Sequence, residues 1–260
     1  MIFNISSKDN KNLKFIRQLK KKSFRADAGK FIAEGRKIVL EVFEYAQDRL
    51  QYIVMSKEFS NNETKFFKLA SEKCENVYIV PDHIFADLSD TDTPQGILAV
   101  VNMSEDTYSP SSLDRKIVVL DGISEPGNMG TVIRTAEALG FDAIYLMKGC
   151  TDIYSPKTVR ATMGSLLRMN FRTNCSAKDI TALQNSEFSI IATTPSGETV
   201  LENFKTPKKL AVIIGNEAHG VSAELMNIAD THLKITMDGM AESLNAAVAA
   251  GIVLHWLKNC

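Results

Sequence analysis

The chain has 260 residues, of which 45% are hydrophobic and 23% charged, and its formal net charge is −1. This composition is close to that of ordinary globular proteins, so a disordered or fibrous chain is excluded. The length is sufficient for two domains of about 100 to 150 residues, or for one large α/β domain.

The charge is unevenly distributed along the chain. Residues 1–40 contain eleven Lys and Arg residues against three Asp and Glu residues, a net charge of +8, which leaves −9 for the remainder. A basic segment of this kind suits the phosphates of a nucleic acid, because each neutralised phosphate releases condensed counterions. A solvated basic helix explains the charge equally well.

Signals for export, membrane insertion, disulfides and metal binding are missing from the sequence. Residues 1–14 lack the apolar core of a signal peptide. The longest apolar run, residues 246–257, is much shorter than the roughly 20 residues that span a bilayer. We therefore expect a cytoplasmic protein without membrane partners. The cysteines are far apart and no histidine lies at ligand spacing, so we expect inert thiols and no metal: Cys74, Cys150, Cys175 and Cys260.

The first part of the chain alternates short apolar runs with helical patterns. The runs predict strands at 31–33, 52–55, 77–80 and 96–101, and the helical patterns predict one helix from Arg36 to about Ala46 and another after the second strand. This order is typical of a small α/β domain. Residues 104–114 are rich in Ser and Pro and poor in apolar residues, which predicts a linker. The predicted division is 1–104 for the first domain, 105–114 for the linker and 115–260 for the second domain.

The second domain is predicted to contain a parallel sheet covered by helices. Continuous apolar runs at 117–120, 143–147, 188–192 and 210–214 are typical of strands that are buried on both faces. Ligands of such sheets bind beyond the carboxyl ends of the strands. The segments that follow these runs are polar or rich in glycine, as a pocket lined by backbone requires: 121–128, 193–197 and 215–220, with a further polar loop at 236–243.

The segment after the first of these strands contains two candidate functional residues. Asn128 is predicted to be the N-cap of a helix, and Arg134 lies opposite that helix's apolar stripe at about 100° per residue. A surface arginine is usually only solvated, but this one follows a loop with Gly127 and Asn128 at a strand end. The glycines of 215–220 permit close approach of a ligand. A tight turn with Glu217 as a solvated carboxylate is the alternative.

Taken together, three segments resemble the signature motifs of the SpoU (TrmH) family of RNA 2′-O-methyltransferases, within the SPOUT superfamily. They are residues 128–140, residues 215–220 and residues 235–251, the last containing Glu242-Ser243-Leu244-Asn245. The resemblance covers 115–260 and extends to 88–100, which is similar to the end of the family's ribosomal-protein-like substrate-binding domain. Thr236 departs from the pattern, because the family usually has proline there.

The resemblance implies transfer of a methyl group from S-adenosylmethionine to a ribose 2′-hydroxyl of structured RNA. Ribosomal RNA is the first expectation and transfer RNA the second. The resemblance also implies a deep trefoil knot formed by the carboxyl-terminal segment, and a homodimer whose active site contains residues of both subunits.

The resemblance also assigns site residues. The residues expected at the methyl-transfer centre are Asn128, Arg134, Glu217, Ser243 and Asn245. Those expected to contact S-adenosylmethionine are Thr193, Gly215, Asn216, Ile235, Met237 and Leu244. The basic residues expected to contact RNA phosphates are Lys20, Lys21, Lys22 and Arg25.

Arg134 has two candidate roles. The family makes it the candidate base, yet a guanidinium has a pKa above about 12 and normally stays protonated. We prefer a role in which Arg134 binds the neighbouring phosphate with two parallel hydrogen bonds, and the sequence leaves both open.

Two other classes of protein fit the sequence less well. A nicotinamide, flavin or Rossmann-type methyltransferase fold requires a Gly-x-Gly-x-x-Gly turn after its first strand, and residues 121–130 do not contain it. A non-catalytic RNA-binding paralogue would retain the fold but show damaged motifs, and the five residues of the expected centre are all present.

Overall fold

A computed structural model describes residues 1–104 and 108–259 of the chain. Residues 105–107 of the predicted linker, and Cys260, lie outside the described residues. The chain forms two compact units. The first unit is Met1–Ser104 with Asp152–Arg168, and the second is Glu105–Thr151 with Met169–Cys260. The excursion of residues 152–168 into the first unit has no signal in the sequence, and the domain limits given above stay a prediction.

The first unit contains a mixed sheet flanked by helices. Its strands are β1 (Ile2–Asn4), β2 (Lys30–Glu34), β3 (Leu50–Ser56), β4 (Val77–Val80) and β5 (Ile97–Asn102). Their order is β1-β4-β3-β5-β2, in which β5 runs antiparallel to β3 and β2 and the other pairs are parallel. Its helices up to Leu88 are α1 (Lys11–Gln18), α2 (Lys22–Ala28), α3 (Arg36–Tyr45), α4 (Lys57–Asn62), α5 (Thr64–Lys73) and α6 (Asp82–Leu88).

The second unit contains the parallel sheet that the apolar runs predict. Its strands are β6 (Lys116–Asp121), β7 (Ala143–Met147), β8 (Asn170–Cys175), β9 (Ser189–Thr193), β10 (Thr199–Val200), β11 (Leu210–Gly215) and β12 (Thr231–Lys234). Their order is β10-β12-β9-β11-β6-β7-β8, with every pair parallel. The remaining helices of the chain are α7 (Pro126–Ala138), α8 (Pro156–Thr162), α9 (Ala177–Asn185), α10 (Ala223–Ile228) and α11 (Ala246–Leu257).

The strand order places the loops of interest side by side. From β6 the chain moves outward to β7 and β8, and then returns to β9 and β11 on the other side of β6. Strands β6 and β11 are neighbours, and their last residues, Asp121 and Gly215, are register partners. Ligands of parallel sheets bind at such a switch point, because the two adjacent loops leave in opposite directions. Helix α7, which follows β6, packs against α11.

The segment 152–168, which includes α8, is held in the first unit by an ion pair and an aromatic contact. The guanidinium of Arg25 is paired with the carboxylate of Asp152, and these side chains are 4% and 16% exposed. The ring of Tyr154 lies 5.0 Å from that of Phe31, centroid to centroid. The Tyr154 hydroxyl is 2.8 Å from the Ser104 hydroxyl. These contacts bring a segment that is remote in sequence into the first unit's core.

Within residues 1–104 and 108–259, no helix is long and apolar enough to cross a membrane. Among the described residues, Cys74, Cys150 and Cys175 form no disulfide. Burial raises the pKa of the Cys74 and Cys150 thiols, which keeps them protonated at neutral pH. No group of three His, Cys, Asp or Glu side chains in the described part of the chain is arranged to hold a metal ion.

Removing the charge of Asp152 tests the buried ion pair of the first unit. Asp152→Asn leaves the buried Arg25 without its counter-charge, and we expect the free energy of unfolding to fall by about 3 kcal/mol. Asp90→Asn is the matched control. Its pair with Arg160 is 41% and 29% exposed, so the loss should stay below about 1 kcal/mol. Urea denaturation followed by circular dichroism measures the free energy of unfolding of both variants. A loss in Asp152→Asn as small as that of the control would show that Arg25 does not depend on Asp152.

Candidate functional site

A cavity of about 400 Å³ opens at the carboxyl ends of β9, β11 and β12. Five parts of the second unit line it: residues 193–195, residues 214–221, Met226 of α10, parts of 233–244, and the first turn of α11. We call it the carboxyl-end cavity. Small-molecule sites usually enclose about 300 to 1,000 Å³, so its size suits a ligand rather than a packing defect. It lies at the sheet edge where the sequence predicts a backbone-lined pocket.

The residues predicted to contact a cofactor all line the carboxyl-end cavity. They are Thr193, Gly215, Asn216, Ile235, Met237 and Leu244. Glu217 and Ser243, which were predicted for the reaction centre, line it as well. Thr193 and Leu244, 51 positions apart in sequence, thus meet around one space. Their individual contacts with a ligand stay a prediction.

Gly215 is the point of closest backbone approach in this cavity. A Cβ added there would lie 2.2 Å from the carbonyl carbon of Gly220 and 2.3 Å from the nitrogen of Val221. The loop folds back on itself because Asn216 and Gly220 exchange two backbone hydrogen bonds of 3.0 and 2.9 Å. A side chain at position 215 would therefore force backbone atoms apart, and only glycine fits.

Asn128, Glu217 and Asn245 form a hydrogen-bonded chain at the edge of the site. The side-chain amide of Asn128 donates to the carboxylate of Glu217. The side-chain amide of Asn245 donates to the Asn128 carbonyl oxygen at 3.1 Å. These three residues belong to the three motif segments, which are about 90 and 30 residues apart. The structure therefore brings one residue of each motif into a single polar cluster.

The prediction that Asn128 caps its helix is wrong. Helix α7 begins at Pro126, and its N-cap is Glu125, whose carboxylate accepts from Gly127 N at 3.4 Å. Proline suits the first helical position because its missing N–H has no partner there. Asn128 is consequently inside the first turn, and its side chain is free to reach Glu217 instead of the helix backbone.

Asn245 is the N-cap of α11 as well as a member of the cluster. Its Oδ1 accepts from Ala247 N at 3.0 Å and from Val248 N at 3.3 Å, while its Nδ2 faces Asn128. Capping fixes the side chain at the start of the helix. Asn245 can therefore cap the helix and take its expected place in the site at the same time.

The two other predicted centre residues lie differently. Ser243 is exposed at the rim of the carboxyl-end cavity. Arg134 is exposed on α7, six residues beyond Asn128 and so about 9 Å further along the helix at 1.5 Å per residue. It does not line the carboxyl-end cavity, nor a second cavity of about 770 Å³ that is lined by Asn128, Asn245 and one face of α11.

The predicted phosphate-binding residues of the first unit differ in their exposure and in their hydrogen-bond partners. Lys21 and Lys22 are exposed at the start of α2, where Lys21 is the N-cap and Lys22 the first helical residue. Lys20 Nζ donates to the carbonyl oxygen of Ser89 at 2.5 Å. Arg25 is only 3% exposed, and it donates to the carbonyl oxygens of Leu19 and Lys20 besides pairing with Asp152. The expectation that Arg25 contacts RNA is corrected, because its guanidinium is buried and fully engaged.

Other residues of the carboxyl-end cavity were missed from the sequence. Ile214, Val221, Met226 and Leu233 give it apolar walls, and Glu242 adds a second carboxylate beside that of Glu217. The apolar residues look like ordinary core positions in the sequence, since nothing in their spacing marks a cavity. Glu242 stands in the third motif and could have been included on that ground. The walls suit a flat apolar group, and the carboxylates suit a positive charge.

Two family models match the chain. The SpoU rRNA Methylase family matches residues 115–255, and the MRM3-like substrate binding domain matches residues 10–99. The chain is similar to the 23S rRNA (guanosine(2553)-2'-O)-methyltransferase RlmP of Bacillus subtilis (strain 168). The identity is 30%, over 98% of this chain and 98% of that protein.

Solved structures show the same likeness. An AdoMet-bound rRNA methyltransferase from Sinorhizobium meliloti matches with a TM-score of 0.87 and 28% identity, over 99% of this chain and 97% of that one. A structure concerned with 2-OH methylation on tRNA matches with a TM-score of 0.51 and 28% identity, over 55% of this chain and 94% of that one. The first likeness extends over both units, whereas the second extends over about half of the chain.

Adding one methyl group at Gly215 tests the close approach in the cavity. Gly215→Ala places a Cβ against the backbone of Gly220 and Val221, and we expect a loss of about 2 kcal/mol or more in the free energy of unfolding. Gly239→Ala is the control, because a Cβ there meets nothing within 4 Å. It should change stability by less than about 0.5 kcal/mol. Thermal denaturation compares the stability of the two variants. If Gly215→Ala leaves the stability unchanged, the loop is free to move away from the added methyl group.

Proposed function

The chain belongs to the SpoU rRNA methylase family, and we propose that it transfers a methyl group from S-adenosylmethionine to a ribose 2′-hydroxyl of ribosomal RNA. The observation that carries the proposal is the convergence of the three motifs. Asn128, Glu217 and Asn245 are joined by hydrogen bonds beside a cavity that the six expected cofactor residues line. The likeness to an AdoMet-bound rRNA methyltransferase supports the same reaction.

The carboxyl-end cavity fits S-adenosylmethionine in its shape and in its chemistry. The apolar walls, with Ile214, Leu233 and Ile235, suit the adenine ring. The close backbone approach at Gly215 makes a cradle that a Cβ would fill. The carboxylates of Glu217 and Glu242 suit the positive sulfonium. Thr193, Gly215, Asn216, Ile235, Met237 and Leu244 are the residues that we propose to hold the cofactor, with Asn216 acting through its backbone only.

In the proposed mechanism the protein acts chiefly by positioning. When bound, S-adenosylmethionine supplies a methyl group whose bond to sulfur breaks as its bond to the ribose 2′-oxygen forms. Asn128, Ser243 and Asn245 would orient the ribose, and Glu217 holds the amide of Asn128 in place. Holding the two reactants near attack distance can supply about 7 kcal/mol or more of the barrier reduction. The 2′-proton leaves late, to solvent.

Arg134 would bind the phosphate next to the target ribose in this mechanism. The side chain is exposed on α7, outside the cofactor cavity, where RNA rather than cofactor can reach it. A guanidinium stays protonated at neutral pH and offers two parallel donors to a phosphate. These properties suit an anchor better than a base.

Ribosomal RNA is favoured over transfer RNA by how much of the chain each likeness covers. The Bacillus subtilis and Sinorhizobium meliloti relatives, which match over nearly the whole chain, are both named as rRNA methyltransferases. The structure connected with tRNA matches about half of the chain. The first unit carries the match to a substrate binding domain, and the likeness to the two ribosomal relatives extends over this unit as well. Its exposed Lys21 and Lys22 remain the proposed phosphate contacts.

A non-catalytic RNA-binding paralogue is the alternative. It would have no reason to keep the reaction centre, yet Asn128, Arg134, Glu217, Ser243 and Asn245 are all present and three of them are hydrogen-bonded to one another. The cluster therefore favours the enzyme.

A homodimer, a deep knot and a cytoplasmic location complete the proposal. Helix α11 carries Val248, Ile252 and Trp256, spaced four residues apart on one face and 53%, 40% and 43% exposed. Residues at this spacing form a continuous apolar stripe, which a second copy would cover. For the knot, support comes from the carboxyl-end cavity, which parts of residues 235–244 line together with the loop 214–221.

The Arg134→Lys variant tests both the reaction and the role of Arg134. Lysine keeps the charge but loses the two-pronged contact with phosphate, so we expect methyl transfer to fall about a hundredfold, or roughly 2.7 kcal/mol, with cofactor binding nearly unchanged. Arg115→Lys, also exposed in the second unit, is the control. Single-turnover transfer from radiolabelled cofactor to unmodified 23S rRNA gives the rate, calorimetry gives cofactor affinity, and mass spectrometry locates the methylated ribose.

Each outcome of this experiment has a distinct meaning. A wild-type protein that methylates neither 23S rRNA nor any other ribosomal RNA would overturn the ribosomal proposal, and transfer to tRNA instead would favour the second substrate. Near-normal transfer by Arg134→Lys refutes the two-pronged contact. Lost cofactor binding in that variant would place Arg134 in the cofactor site.

A charge on the α11 stripe tests the dimer. Trp256→Glu should turn a dimer of about 58 kDa into a monomer of about 29 kDa, because a carboxylate buried between two apolar faces costs several kcal/mol. Leu113→Glu is the control, since Leu113 is 80% exposed and lies outside α11. Light scattering at micromolar concentration distinguishes the two masses. If the wild-type protein is already a monomer, the proposed dimer is wrong.

A further inference from the structure

The side chain of Asn216 is engaged on both of its polar atoms, although the residue lines the carboxyl-end cavity. Its Nδ2 donates to the carbonyl oxygen of Gly122 at 2.8 Å. Its Oδ1 accepts from Ala218 N at 2.8 Å and from His219 N at 3.2 Å. Both lone pairs of the oxygen and one amide hydrogen are thus used within the protein. The side chain is placed to shape the backbone rather than to face a ligand.

The bond to Gly122 joins the loop that leads to Asn128 to the loop that carries Glu217. Gly122 begins the loop from β6 that leads to α7 and Asn128, while Asn216 itself begins the loop from β11. A second hydrogen bond joins the same two segments, because Ser222 N donates to Asp121 Oδ2 at 2.8 Å. The loops after β6 and β11 are therefore tied together at both ends of the segment that contains Glu217.

The same bonds fix the backbone on each side of Glu217. Asn216 precedes it and is held by Gly122 and by its backbone pairing with Gly220. Ala218 follows it, and its N–H is held by the Asn216 side chain. A side chain that bonds to the N–H two residues ahead makes a local turn with little freedom. Glu217 stands within this turn, and its carboxylate accepts from Asn128.

We propose that Asn216 is a positioning residue that holds Glu217 against Asn128 for methyl transfer. The inference rests on the proposed function for its kinetic consequence, but its structural part concerns the free protein. Asn216 was expected to bind the cofactor. Through its hydrogen bonds, the side chain instead sets the distance between the first two motifs.

The variant Asn216→Asp isolates the tie to Gly122. The new carboxylate keeps an oxygen for the N–H groups of Ala218 and His219, but it places a second acceptor against the Gly122 carbonyl, so the loops separate while the turn survives. Asn216→Ser is a second variant, because a hydroxyl can support the turn but is too short to reach Gly122. Asn227→Asp, an exposed change of the same chemistry on α10, is the control.

The direct measurement is the side-chain amide resonance of Asn128 in the free protein, assigned by its loss in Asn128→Ala. Glu217→Ala removes the acceptor and shifts this resonance. We expect Asn216→Asp and Asn216→Ser to shift it in the same direction, and Asn227→Asp to leave it in place. An Asn128 resonance unchanged in both Asn216 variants overturns the proposal. So does a failure of both variants to fold, which would make Asn216 a requirement of the fold.

Kinetics separate positioning from a general structural role. With an unmodified 23S rRNA transcript and radiolabelled S-adenosylmethionine, Asn216→Asp should lower the single-turnover rate about tenfold and change cofactor affinity less than about threefold. In a Glu217→Ala background the same change should cost less than about twofold, because residues that act through one another are not additive. Equal losses in both backgrounds contradict the proposal. If the wild-type protein transfers no methyl group, the proposed function fails and the resonance still decides the role of Asn216.

Discussion

The parallel pairing of β6 with β11 is the constraint on which the candidate site depends. Because Asp121 and Gly215 are register partners at the ends of these strands, the two loops that follow have to pass each other within hydrogen-bond distance. Gly215 lets the second loop fold back on itself, because it has no Cβ and the atoms that a Cβ would meet are the backbone of Gly220 and Val221. The loop carrying Glu217 and the helix carrying Asn128 are adjacent as a consequence.

Helix α11 completes the site from the other end of the chain. Its N-cap, Asn245, uses its oxygen to start the helix and its amide to reach Asn128. One side chain thus joins helix formation to the polar cluster, so that any shift of α11 would also move the cluster. The exposed apolar stripe on the same helix begins one turn away, at Val248. A partner that covered this stripe would therefore lie next to the proposed reaction centre.

In the first unit, one charged residue of the basic segment has a different role from the predicted contact with RNA. Arg25 stands in a basic segment, and its neighbours Lys21 and Lys22 are exposed as a phosphate-binding surface requires. Yet Arg25 is buried against Asp152, 127 residues later in the chain. The local charge density is the same for all three residues. What separates them is a partner that arrives from a distant segment, and only the folded chain shows it.

Much of the fold followed from the sequence alone, because buried parallel strands are continuous apolar runs. Residues 143–147 and 210–214 were placed in this way within one residue of β7 and β11. Strands β8 and β12 were not predicted, since Arg172, His232 and Lys234 interrupt their apolar character. Of the five centre residues that the motifs predicted, Asn128, Glu217 and Asn245 meet in one hydrogen-bonded cluster. Tertiary structure alone decided that the Asn128 side chain reaches Glu217, that Asn216 ties two loops together, and that residues 152–168 belong to the first unit. The physical reason is the same in each case: periodicity and caps are local properties of a sequence, whereas hydrogen bonds and ion pairs between remote segments depend on which strands become neighbours.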